Sequence, residues 1–218
     1  MNTKSTTFIV LMGLLTTITL AGSIWLSLYL AGGNSINQSR IFPADNYALP
    51  AITMVISYLC GGGLWGWGIA RMTNSDAKTM IKACALSWSI PTFIVVISLG
   101  IRLTTITSFG YTLPFRYTYY YLLFFIPLIG IVTGINARVV SGKLGLQESK
   151  NKIGRNVGFA AALGFLIVTL ILLVGFGWEV GRPQTGEYAM LTILHWSSVG
   201  AALVGGSVLG RELAKLIE

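Results

Sequence analysis

Apolar residues gather into six long runs separated by short polar connections: Phe8–Ala31, Ala48–Ala70, Met80–Ile101, Tyr117–Val140, Val157–Trp178 and Tyr188–Gly210. A helix rises about 1.5 Å per residue and must cross a hydrocarbon core about 30 Å thick, so about 20 apolar residues make one span. Each run meets that length. The pattern predicts an all-α integral membrane protein, a six-transmembrane-helix bundle with about two thirds of its residues in lipid.

The connections carry residues that start or end helices. Gly32-Gly33-Asn34 closes the first run, Pro50 suits the first turn of the second, and Thr73-Asn74-Ser75-Asp76 separates the second from the third. Pro114 precedes the fourth, the polar stretch Ser141–Arg155 joins the fourth to the fifth, and Pro183 marks the last turn. Residues 1–218 read as a single polytopic domain. Pro91 and Pro127 fall inside runs, where each removes a helical hydrogen bond and predicts a kink. Lys4 before an apolar run has the outline of a signal peptide. Phe8–Ala31 is longer than the about 7–15 residues of a signal core and lacks an A-x-A site, so the span is expected to be retained.

Charge gives the bundle a direction. With six crossings, Lys4, Arg71, Lys78, Lys82, Arg138, Lys143, Lys150, Lys152, Arg155, Arg211 and Lys215 share one side, and Arg40, Arg102, Arg116 and Arg182 the other. Basic residues concentrated in short loops mark the cytoplasmic face, so both termini are expected there, in a prokaryotic plasma or inner membrane. The net charge of +8 is then a basic rim on anionic lipid and requires no nucleic acid.

Composition narrows the chemistry. A chain 54% hydrophobic and 10% charged excludes a soluble enzyme or a disordered segment. One His and 2 Cys exclude a disulfide scaffold, a Cys-rich metal domain and a haem held by two His. Cys60 and Cys84 lack a C-x-x-C setting and read as buried, inert thiols.

Small residues are spaced for helix contact. GxxxG pairs occur at Gly62/Gly66, Gly130/Gly134, Gly154/Gly158 and Gly206/Gly210, mostly in the half of each span nearer the basic side. The stretch Cys60–Gly68 holds five glycines in its last eight positions, which reads as close packing or as a broken helix that exposes backbone to a substrate. The second, fourth and sixth runs each pass through small residues to Arg71, Arg138 and Arg211, a pattern either incidental or left by three helical hairpins built on one plan. Aromatics collect at the opposite ends, among them Trp25, Tyr29, Tyr47, Tyr111, Tyr117, Tyr119, Tyr120, Tyr121, Trp178 and Tyr188. An interfacial belt explains them; so does a funnel opening outward.

Candidate chemistry is sparse. Span interiors hold almost no ionisable groups, which argues against a pump. His195 is the exception, and an interhelical hydrogen bond, pigment or metal ligation, or proton transfer are all open to it. His195-Trp196-Ser197-Ser198-Val199-Gly200, with Gly205-Gly206 beyond, resembles the last core helix of rhomboid intramembrane proteases. That resemblance implies a serine nucleophile on a facing helix, whereas Gly130–Arg138 carries no Ser at its centre. At the outer side Arg102, Arg116, Glu179, Arg182 and Glu187 lie near Trp178. They form either a solvated rim with incidental ion pairs or, with Trp67, His195 and Trp196, the lining of a site for an anionic or aromatic solute.

Three functions follow. A non-catalytic accessory, scaffold or assembly subunit needs only packing faces, and its partners would be lipid, other membrane subunits or itself. A small-solute transporter or binding component would use the outer aromatic and basic cavity. An intramembrane enzyme would depend on His195.

Overall fold

Serine and threonine remain helical inside apolar runs because their hydroxyls return to the backbone four residues earlier, where lipid offers no other partner. Thr16 donates to the Met12 carbonyl at 2.8 Å, Thr17 to Gly13 at 2.9 Å, and Ser23 to Thr19 at 2.7 Å. The same device recurs at Ser57, Thr133, Ser141 and Ser198. The computed structural model describes residues 3–30, 48–91, 118–180 and 186–215, and the side chains of 5–23, 26–27, 52–91, 125–175 and 192–215.

Within them the chain is all helical: α1 (Thr3–Leu30), α2 (Ala48–Thr73), α3 (77–91), α4 (Thr118–Lys143), α5 (Lys150–Val180) and α6 (Gly186–Ala214). All but α3 contain a stretch long and apolar enough to cross a membrane. The remainder of the expected third span lies outside the described residues, as do Gly32-Gly33-Asn34, Pro114 and Pro183. Pro127 sits inside α4, and Pro50 lies in the first turn of α2.

The expected polar connection Ser141–Arg155 is mostly helix instead. α4 continues to Lys143 and α5 begins at Lys150, so only residues 144–149 turn. Gly145 makes this possible, taking φ +85°, while the Leu146 amide reaches back to the Ser141 carbonyl at 2.9 Å. The α2–α3 turn ends the same way, with Asn74 at φ 50° and the Ser75 amide on the Ala70 carbonyl at 3.0 Å. Asp76 then caps α3 by accepting from the Thr79 amide at 3.0 Å.

The helices form a closed ring in which each packs against its chain neighbours and α6 returns to α1. All neighbours run antiparallel, so both turns, the start of α1 and the end of α6 meet at one basic end. Outward faces carry large apolar side chains on every helix, including Ile18, Leu64, Ile90, Ile131, Phe159 and Val174. Large apolar side chains exposed on all six helices, among the described residues, are the mark of an integral membrane protein, since soluble monomers expose patches of only a few hundred Å². The largest buried cluster, from Met12 and Trp65 to Val140, Leu209 and Leu213, fills the ring from its middle to the basic end.

Candidate functional site

Small residues bring the helices close, and their placement follows one rule around the ring. A Cβ on Gly62 or Gly66 of α2 would lie 2.7 Å from the Cys84 carbonyl oxygen or 2.6 Å from that of Met80, both on α3. On α4, Gly130 and Gly134 meet the Gly158 and Gly154 carbonyls of α5 at 3.0 and 2.8 Å in the same sense. On α6, Gly206 meets the Met12 carbonyl of α1 at 3.0 Å, and Gly210 meets the Ile9 Cα at 3.0 Å. The glycine pairs of the even helices thus all face the odd helix of the following hairpin.

Within each hairpin a side-chain hydrogen bond also crosses. The Trp65 indole donates to Thr16 Oγ1 at 3.0 Å between α2 and α1. Ser87 donates its hydroxyl to the Asn136 amide oxygen between α3 and α4, and Thr169 donates to Ser197 at 2.8 Å between α5 and α6. The three hairpins therefore share two features: a glycine pair set against the next unit and a polar bridge inside each. Arg71, Arg138 and Arg211, which end the even runs in the sequence, are all exposed at the basic end.

Two of the bridges, those of Trp65 and of Asn136, meet at the ring's axis. Trp65 and Trp88 meet edge to face with centroids 5.6 Å apart, and Tyr58 stacks on Trp88 at 6.2 Å. Asn136, 1% exposed, reaches the centre from α4 and also donates to the Val132 carbonyl at 2.8 Å. A void of about 10 Å³ remains among Thr16, Trp65, Trp88, Asn136, Val157 and Gly206, one residue from each helix. That is room for one water at most. Toward the opposite end the ring interior carries hydroxyls: Ser23, Ser27, Thr53, Ser57, Thr169 and Ser197 are all buried.

The residues named from the sequence as ligand candidates are not assembled into one cavity by the described part of the chain. Trp67 lies on the outer surface of α2, 48% exposed, with the Arg71 guanidinium over its ring at 5.6 Å. Trp196 is also exposed, and half-buried His195 meets it edge on at 5.6 Å. Trp178 and Glu179 belong to the last turn of α5, and their side chains fall outside the described residues. Arg102, Arg116 and Arg182 lie outside them altogether, as do the side chains of Glu187, Tyr188 and the Tyr117–Tyr121 cluster. Cys84 is buried, but Cys60 is exposed on the outer face of α2, which corrects the expectation that both thiols are enclosed.

The central group was missed. Trp65 is visible in the sequence between Gly62 and Gly66, where the missing side chains let α3 close over the indole. Asn136, an amide in an apolar run, was equally visible. Thr16 and Trp88 carry no local mark, because each meets Trp65 from a different neighbouring helix. No family model, curated protein or solved structure matches the chain.

Proposed function

We propose that the protein is a non-catalytic subunit of a membrane complex, a scaffold or assembly component that crosses the membrane six times. The observation that carries this reading is the closed centre. Trp65 against Trp88, anchored by Thr16, fills the axis at the level where glycine contacts hold the helices together. A ring built this way offers helix faces to its surroundings rather than a passage to a solute. The basic end faces the cytoplasm by the positive-inside rule, which places both termini there, and the membrane is a prokaryotic plasma or inner membrane.

Gentle extraction from the native membrane tests the proposal. The chain, 23.5 kDa, is expected in a larger particle with other defined polypeptides. A particle holding only this chain with a bound small molecule overturns it.

The buried hydroxyls beyond the tryptophans favour a second reading, a solute-binding or transport component open on the outer side. In that case Arg102→Ala would abolish solute binding in a protein that still folds, and unchanged binding would remove this reading.

A further inference from the structure

Among the described residues, five of the six seams around the ring are closed by a glycine meeting the neighbouring helix, whereas α3 and α4 leave a groove of about 840 Å³ on the outer surface. Its walls are Leu86 and Ile90 of α3 and Ile131 and Ile135 of α4, and its basic end is flanked by Lys82 and Lys143. The volume lies within the about 300–1,000 Å³ usual for small-ligand sites. Both lysines are exposed, and neither pairs with an acidic side chain among the described residues, where the ion pair is that of Lys215 with Glu212. Asp76, the nearest acid in sequence to Lys82, is engaged in capping α3.

We infer that this groove binds one anionic phospholipid of the leaflet at the basic end, with the phosphate between Lys82 and Lys143 and an acyl chain along the apolar walls. Dimensions and charge together select this occupant. From Lys82 to Pro91 the groove follows α3 for about 13 Å, close to the about 15 Å thickness of one leaflet. Lysines at the headgroup level and branched aliphatic side chains below them match a phospholipid along its length, and basic sites between membrane helices hold anionic headgroups in this way. A transmembrane helix from another protein would present apolar side chains to the lysine end. The inference is independent of whether the protein acts as a scaffold.

The test uses the full chain in nanodiscs of mixed phosphatidylglycerol and phosphatidylcholine, with lipid retained after release read by native mass spectrometry. Wild type is expected to keep one phosphatidylglycerol in preference to phosphatidylcholine. Lys82→Gln with Lys143→Gln should lower that preference about 30-fold at unchanged thermal midpoint. Ala83→Phe, which fills the groove wall, should abolish retention of either lipid. Lys78→Gln with Lys152→Gln, basic-end lysines outside the groove, should leave both intact. Equal retention of the two lipids by wild type overturns the inference. So does an equal loss of preference in the Lys78/Lys152 variant, which would assign the effect to diffuse rim charge, or a second polypeptide crosslinked in the groove in place of lipid.

Discussion

At the scale of single residues, the space around each glycine fixes the sign of its replacement. Alanine normally improves a helix over glycine by up to about 1 kcal/mol. That gain is expected for Gly22→Ala and Gly175→Ala, where an added Cβ meets nothing within 4 Å. Gly158→Ala should instead destabilise by about 1–3 kcal/mol, since its Cβ would sit 2.5 Å from the Gly130 carbonyl oxygen and backbone has nowhere to yield. Thermal unfolding of the three variants in one detergent checks the reversal. Thr16→Val keeps the shape of the side chain but removes the acceptor of the buried Trp65 indole, and a loss of about 1–3 kcal/mol is expected in the same assay. Asp76 adds a pH dependence. Hydrogen bonds from the Thr79 side chain and then its amide hold this exposed carboxyl below the ordinary carboxylate range. A folded pKa lower than the unfolded one stabilises fully above the unfolded value of about 3.9 and is lost as pH falls through the lowered folded value. Amide protection in the first turn of α3 should therefore drop in that acid window in the wild type and stay level in Asp76→Asn; a drop shared by both would contradict the cap's role.

At the scale of elements, the helices were legible because apolar runs of spanning length leave little choice, and five of the six appear where the hydropathy pattern puts them. Their ends were less legible. The polar stretch after Val140 reads as loop by composition, yet Lys150–Arg155 continues a helix because Ile153 and Gly154 turn inward on the same face as Val157. Gly145, open on every side, is required only by its backbone angle, and in a polar setting that requirement leaves no trace. Gly145→Ala should cost about 1–2 kcal/mol, whereas Asn74→Gly, at the equivalent position of the other turn, should gain up to about 1 kcal/mol. Chemical or thermal unfolding of both variants decides whether the two turns are equivalent. The candidate site was legible in part: the glycine pairs stand out by spacing, whereas Thr16, Trp65, Trp88 and Asn136 lie on four different helices, and sequence spacing says nothing of their convergence.

At the scale of the whole molecule, the account rests on the chain closing upon itself. Three hairpins, each bridged internally by one polar contact and joined to the next by glycines, make a ring only if α6 returns to α1 as α2 meets α3 and α4 meets α5. Closure brings Gly206 of α6 onto Thr16 and so encloses the Trp65–Trp88 pair. It also distinguishes the α3–α4 groove from the other seams. The most direct measurement is disulfide crosslinking in membranes with the native thiols replaced by Cys60→Ser and Cys84→Ser. Met12→Cys with Gly210→Cys tests the closing seam, where the two Cβ positions are 2.8 Å apart, and Gly130→Cys with Ala162→Cys, at 3.1 Å, is an equally crowded control across α4 and α5; in both pairs the helices must part slightly to reach the about 3.8 Å of a relaxed disulfide. Intramolecular bonds in both pairs are the predicted result. A bond in the control pair, with none or only an intermolecular one in the Met12/Gly210 pair, would contradict the closed ring and the sealed centre that follows from it.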